Sequence, residues 1–155
     1  MKKNFGIALL VSVFWAANLA MAEDAVQQTI TVRVDAINEV SVNGELNTLV
    51  IGSQKGSATN NATWAITTNE TNKTVVGSID ADMPPGVTLY VELEAPNEAF
   101  SNGPVVLSTT PQDLATGISR VAEDNLKVIY TLSAETDTRV EQWQRVLTLT
   151  LTDGF

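Results

Sequence analysis

The 155-residue chain contains neither Cys nor His, and it carries 18 acidic residues against 9 basic ones, for a net charge of −9. Without Cys it can form neither a disulfide framework nor a Cys-ligated metal site. Without His, a Ser-His-Asp triad and a His-ligated zinc or iron site are excluded as well. Nucleic acid is not expected as a partner, because phosphate binding needs clustered Lys and Arg, and the sequence has no such cluster. This composition favours a protein that is not an enzyme and that uses no cofactor.

The first 22 residues have the three parts of a secretory signal. Two lysines precede an apolar run over residues 5–17, and Ala20-Met21-Ala22 forms a small-x-small cleavage site. The apolar run is shorter than the roughly 20 residues that a bilayer span needs, so we expect cleavage and no membrane span afterwards. Cleavage would leave residues 23–155 as one domain of net charge −11, exported through the periplasm to the cell surface or the medium.

Apolar and polar residues alternate with a period of two along most of the remaining chain, which is typical of strands with one face on a core. Segments rich in Gly, Pro and Asn, such as residues 52–61, separate the alternating runs and predict turns. This spacing predicts an all-β fold, an immunoglobulin-like antiparallel β-sandwich of about seven to eight strands. Residues 111–116 are predicted to form a single helical turn. The predicted strands lie at residues 29–36, with a candidate continuation at 40–42, and then at 48–51, 63–67, 74–79, 87–94, 105–107, 126–133 and 147–152.

Paired carboxylates are the one kind of reactive site that the composition leaves open, because glycosidases need only two of them and calcium needs only oxygen ligands. Acids that alternate along a strand usually mark its solvent face, and no dense run of oxygen ligands with Gly accompanies them. We therefore predict no catalytic residues and no dedicated metal site, and calcium binding stays an alternative. The candidate pairs are Asp80 with Asp82, Glu92 with Glu94, and Asp35 with Glu39.

Large apolar side chains divide into predicted core anchors and candidate contact residues. Trp64, Tyr130 and Leu149 lie in alternating runs and are expected in the core, because burial of such side chains drives folding. Phe100 and Trp143 lie near turns among polar neighbours and are candidate exposed contacts, although a core position is the favoured interpretation for each of them.

The first predicted strand begins only a few residues after the predicted cleavage site, and two interpretations of it are open. It could be an ordinary first strand that pairs within its own sandwich. Alternatively, it could be an N-terminal extension that adds a strand to a neighbouring subunit by β-augmentation, with Ile30, Val32 and Val34 as the donated side chains.

Four segments of the chain resemble the cysteine-free pilins of the alternate chaperone–usher class, which form colonisation-factor fimbriae. The resemblance implies an immunoglobulin-like sandwich that lacks one strand and is completed by residues 26–36 of the next subunit. It also implies self-assembly into an adhesive surface fibre, with a periplasmic chaperone and an usher as candidate partners. Gly154-Phe155 departs from the family's expected C-terminus, which puts the chaperone's grip on this segment in doubt. The segments that carry the resemblance are Thr29–Val32 with Val34-Asp35, Thr68-Asn69 with Asn72–Val75, Val106–Thr110, and Val146–Leu151.

Three other functions are alternatives to a fibre subunit. One is a monomeric immunoglobulin-like binding module of the periplasm or cell surface, and another is a matrix or surface-layer subunit. A third is a small outer-membrane barrel, because Phe155 shares the parity of the apolar residues from Leu147 to Leu151. Asp153 interrupts that apolar face, however, and the six aromatic residues after position 22 are too few for two membrane girdles.

Overall fold

The computed structural model describes residues 28–44, 49–51, 56–135 and 142–155. The predicted signal segment and residue 48 lie outside these ranges. Within them every regular element is a strand, and no helix is long and apolar enough to cross a membrane. The strands are β1 (Asn38–Asn43), β2 (Gly56–Thr68), β3 (Lys73–Ile79), β4 (Val87–Leu93), β5 (Phe100–Ser101), β6 (Val105–Val106), β7 (Gln112–Ile118), β8 (Val121–Ala134) and β9 (Leu147–Asp153).

The strands form two antiparallel sheets, which confirms the predicted fold class. One sheet has the order β1-β2-β8-β4-β6 and the other has the order β5-β7-β3-β9. An immunoglobulin sandwich has the strand order A-B-E-D in one sheet and keeps strands C and F side by side in the other. The neighbours β1-β2-β8-β4 match the first set, and the pair β3-β9 matches the second. The fold is therefore an immunoglobulin-like β-sandwich.

Strand β9 occupies the position of strand F in this comparison. In a complete immunoglobulin sandwich, strand G pairs with the other side of strand F. Among the described residues, no strand pairs with that side of β9. The sandwich thus has an unfilled strand position next to β9, in the part of the chain that the structure describes.

The core lies between the two sheets and is built from alternate residues of the long strands. Trp64 and Tyr130 are almost fully buried, as predicted, and Leu149 is partly buried against the same cluster. The Trp64 indole N–H donates to the carbonyl of Glu94 at 3.2 Å, so burial of the ring leaves no donor unpaired. The cluster continues through apolar residues of every long strand except β1 and β9, whose apolar side chains are only partly buried or, at Val42, exposed.

Residues 111–116 form no helical turn, so that prediction was wrong. The segment belongs to β7, which pairs with β3 through two register shifts. Leu114 and Ala115 are both fully buried although they are adjacent, so the segment lacks the simple alternation that identifies a strand. A Cβ at Gly77 would lie 2.6 Å from the Leu114 side chain. The lack of a side chain at Gly77 in β3 therefore leaves space for Leu114.

The remaining differences concern the strand boundaries near the N-terminus. Residues 28–37 carry no strand assignment, and the first strand is the candidate continuation, β1. Residues 49–51 form no strand, although Leu49 packs against the core. Part of the predicted turn at 52–61 is strand, because Gly56 to Asn61 pair with β8. Pairing with a long neighbouring strand overrides the turn preference of the two asparagines in this segment.

Replacement of Leu114 by Ala tests the assignment of β7 to the core. Because the side chain is fully buried, we expect the free energy of unfolding to fall by about 2–5 kcal/mol. Val106→Ala is a suitable control, since that side chain is 48% exposed on the short β6 strand and its loss should have little effect. Urea denaturation of both variants measures the difference, and equal midpoints would contradict the assignment.

Candidate strand-accepting groove

A groove lies between the free edges of β1 and β9, the two outermost strands on one side of the sandwich. β1 pairs only with β2, and β9 pairs only with β3, among the described residues. The two strands belong to different sheets and approach each other at this edge. An unpaired strand edge carries a row of N–H and C=O groups that can pair with a further strand.

The register of β9 shows which of its backbone groups face the open side. The Gly154 N–H donates to the Asn72 carbonyl at 2.6 Å, and the Asp80 N–H donates to the Val146 carbonyl at 3.1 Å. In an antiparallel pair, hydrogen-bonded residues alternate with non-bonded ones. The even-numbered residues of β9 therefore bond to β3. The backbone groups of its odd-numbered residues, Leu147, Leu149 and Leu151, point into the groove.

The register of β1 likewise shows which of its backbone groups face the groove from the opposite rim. The Asn69 N–H donates to the Ile37 carbonyl at 3.2 Å, and the register continues through Ser41, which lies opposite Ala65. The odd-numbered residues of β1 therefore bond to β2. The backbone groups of Val40 and Val42 point away from β2, towards the open side.

The floor of the groove is apolar. Val40 and Val42 line it from β1, Leu147 and Leu149 line it from β9, and Tyr130 lies beneath them. Together with Ser41 and Arg145, these residues line an open cavity of about 360 Å³. Burial raises the pKa of the Tyr130 hydroxyl above its ordinary value. The groove therefore combines an apolar floor with unpaired backbone on both rims, which suits an extended apolar segment rather than a charged ligand.

A polar network that we call the clamp ties the two rims together at one end of the groove. The turn that connects β2 with β3 lies at its centre. The Lys73 ammonium contacts the Asp153 carboxylate at 2.6 Å and the Glu70 carboxylate at 2.5 Å. The same Glu70 oxygen accepts a hydrogen bond from the Asn38 amide at 2.6 Å, and the Asn38 oxygen accepts one from the Thr68 hydroxyl at 2.7 Å. A continuous chain of contacts thus runs from β1 to β9.

Charge and burial determine the protonation of the clamp. Hydrogen bonds from Lys73 and then Asn38 lower the pKa of Glu70 below its ordinary value of 4.5. Contact with Asp153 and then with Glu70 raises the pKa of Lys73 above 10.5. The Lys73 side chain is only 11% exposed, whereas that of Asp153 is 89% exposed. Glu70 and Lys73 are therefore both charged at neutral pH.

The other end of β9 is held by Asp80 and Asp82, the residues that the sequence offered as calcium or catalytic candidates. The Val146 N–H donates to the Asp80 carboxylate at 2.9 Å, and the Arg145 guanidinium donates to the Asp82 carbonyl at 2.7 Å. The Asp82 carboxylate accepts the Thr109 N–H at 2.8 Å. The Asp80 carboxylate therefore anchors the backbone just before β9, and the Asp82 carboxylate anchors the loop between β6 and β7. The described residues contain no group of three acids, His or Cys that could hold a metal ion.

Glu92 and Glu94 do not line the groove cavity. The Glu94 carboxylate, just after β4, accepts the N–H of Lys127 in β8 at 2.8 Å. Glu92 in β4 lies opposite Ile129 in β8. Asp35 pairs with Arg33, and both side chains are exposed.

The predicted donor residues are exposed in the segment before β1. Ile30, Val32 and Val34 are 62%, 66% and 81% exposed, and residues 28–35 carry no strand assignment. Of the two candidate contact residues, Phe100 is 70% exposed and Trp143 is only half-buried. The Phe100 ring lies over Gly117, within 3.4 Å of a Cβ placed there.

Sequence reasoning missed the residues that form the groove walls and the clamp. Val40 and Val42 were recognised only as a candidate strand continuation, and Lys73 was not singled out. One signal for the clamp was available in the sequence, because the polar residues Thr68-Asn69 and Asn72-Lys73 adjoin two predicted strands. No sequence pattern, however, shows that Asp153 lies beside Lys73, since 80 positions separate them.

Comparison with protein-family models, with curated proteins and with solved structures finds no match for this chain. The groove and its clamp therefore have to be interpreted from their own geometry.

The pKa of Glu70 gives a prediction for acid stability. Because this pKa is lowered in the folded state, its stabilising effect is complete above the unfolded value of 4.5 and is lost as the pH falls through the folded value. We expect Glu70→Gln to be less stable than the natural protein near pH 7 and to lose less stability between about pH 5 and pH 3. Urea denaturation across this range measures both effects. Glu92→Gln provides the control, and an acid profile of Glu70→Gln identical to that of the natural protein would contradict the assignment.

Proposed function

We propose that this protein is an exported structural subunit of a surface fibre, which polymerises by donating its N-terminal segment to the groove of the next subunit. The observation that carries the proposal is the edge of β9 above an apolar floor, which pairs with no further strand in the part of the chain that the structure describes. Addition of a strand there would satisfy the backbone groups of Leu147, Leu149 and Leu151 and cover the groove. The site needs neither a metal nor a catalytic residue.

The length and pattern of the N-terminal segment fit this groove. The donor side chains Ile30, Val32 and Val34 span five residues, about 14 Å at the rise of a strand. The inward residues of β9, from Leu147 to Leu151, also span five residues. The donor residues between the apolar ones are Thr31 and Arg33, which would face solvent when the apolar side chains enter the groove.

Export and polymer formation are compatible with the charge of the chain. The predicted mature protein would carry a net charge of −11, which opposes non-specific association of subunits. Specific backbone pairing in the groove would then be the main attraction between them. A periplasmic chaperone that covers the groove before assembly, and an usher that releases the subunit, are the partners that this proposal includes.

An adhesive or binding role is the second candidate function, and Phe100 is the observation that favours it. The Phe100 side chain is 70% exposed in β5, a different strand from the two that border the groove. Exposed aromatic residues are enriched at recognition sites. A monomeric binding module would use this surface and would leave the groove without a partner from a second subunit.

A complementation experiment tests strand donation. Val32→Asp places a charge in the donor segment, and Val42→Asp places one in the groove, at a side chain that is 40% exposed. Because burial of an unpaired charge is costly, we expect each variant alone to stay monomeric. A mixture of the two should form heterodimers, because Val32→Asp retains a working groove and Val42→Asp retains a working donor. Size-exclusion chromatography of residues 23–155 from the exported fraction, with electron microscopy, measures these states.

Val106→Asp is the matched control, since this side chain is 48% exposed on β6 and lies outside the groove. It should form filaments like the natural protein. Filaments from Val32→Asp alone would contradict strand donation. A natural protein that remains a monomer with a cooperative melt would favour the binding module instead.

A further inference from the structure

We infer that the clamp is a positioning device for the groove, and that Lys73 keeps β1 in the place where it can border a donated strand. This inference rests on the proposed function, because it assigns a role to a residue outside the groove floor. Its consequence is that loss of Lys73 weakens strand acceptance although Lys73 does not line the cavity.

Apart from the clamp, few contacts hold β1 in place. Of its six residues, five are exposed and only Val40 is partly buried. Core packing therefore contributes little to its position, and its pairing with β2 is the main regular contact. A strand of this kind frays unless its ends are fixed.

The clamp and the adjoining turn fix one end of β1. The Ile37 N–H donates to the Asn69 side chain at 2.8 Å, and the Asn38 amide donates to Glu70 at 2.6 Å. Both acceptors belong to the turn between β2 and β3. At the far end of β1, Asn43 is followed by Gly44, which has a φ of 107°. No side-chain hydrogen bond or ion pair of the described residues ties Asn43 or Gly44 to another strand.

Lys73 holds Glu70, which accepts the hydrogen bond from the Asn38 amide, in place. A single Glu70 oxygen receives both the Asn38 amide and the Lys73 ammonium. Lys73 is also bonded to Asp153 at the end of β9 and is 8% exposed as a residue. A charge-assisted contact at such a site is stronger than one between freely exposed side chains. Lys73 therefore couples the positions of β1 and β9 at this end of the groove.

Hydrogen exchange of backbone amides tests the positioning role of Lys73 and does not require a donated strand. In the natural protein the N–H groups of Ser41 and Asn43 bond to β2 by the register of the strand pair. Lys73→Met should speed their hydrogen exchange by about tenfold or more, while amides of the core residues Val91 and Val128 keep their slow exchange. Glu70→Gln is the milder second variant, because it can still accept from Asn38. Unchanged exchange at Ser41 and Asn43 in both variants would overturn the inference.

Peptide binding tests the consequence for strand acceptance. The host is the full chain with Val32→Asp, whose own donor segment is disabled, and the probe is a synthetic peptide of residues 26–36. Adding Lys73→Met to the host should weaken binding of the peptide by about tenfold. Lys127→Met removes the same charge from an exposed position on the other sheet and should leave binding unchanged.

The two readouts separate this inference from the proposed function. Equal peptide affinity with and without Lys73→Met would overturn the role in strand acceptance. A host that binds no peptide at all would overturn strand donation itself. The exchange experiment would then decide alone whether Lys73 positions β1.

Discussion

The backbone edge of β9, which has no partner strand on its open side among the described residues, is the constraint on which the rest of the structure depends. The groups of Leu147, Leu149 and Leu151 that face away from β3 need partners, and the side chains of the same residues are only partly buried. Exposed edges of this kind invite association, and many proteins protect them with charges or bulges. Here the odd-numbered residues from Leu147 to Leu151 are all leucine, so the edge carries no such protection until Asp153. Such an edge is suited to pairing with another strand.

Both ends of this edge are held by contacts of charged side chains. Lys73 binds Asp153 at one end, and Asp80 accepts the Val146 N–H at the other end. The acids that could have indicated a metal or catalytic site thus have a structural role in the described residues. An exposed edge with anchored ends is already ordered before a strand arrives, and an ordered acceptor loses less entropy on binding. The clamp therefore contributes to the order of the groove.

Local alternation was sufficient to predict the strands that have one face on the core. β4 and β9 were predicted within one residue of their observed ends, because apolar and polar residues alternate along their length. β7 was missed because adjacent Leu114 and Ala115 are both buried where the register shifts. Residues 30–34 alternate as clearly as β9 does, yet they carry no strand assignment. Alternation shows that a segment can form a strand, and it does not show which chain provides the partner.

The groove could be predicted only in part for the same reason. The donor candidates Ile30, Val32 and Val34 were recognisable from their alternate spacing shortly after the predicted cleavage site. The acceptor depends on which strands lie at the sheet edges, and that is decided by pairings such as β3 with β9, across more than 60 residues. Lys73 and Asp153 meet only because of this pairing. Propensity and periodicity are local properties, so they carry no information about such contacts.

Disulfide formation between single-Cys variants tests strand donation most directly, because the natural chain has no Cys. Val32 is the central donor residue and Leu149 is the central inward residue of β9, so the two would lie side by side whichever way the donated strand runs. Val32→Cys and Leu149→Cys are mixed, oxidised and analysed by non-reducing electrophoresis and mass spectrometry. Strand donation predicts a disulfide that joins one variant to the other. If the mixture yields only random products, at the level given by a Val106→Cys control in place of Leu149→Cys, strand donation is contradicted.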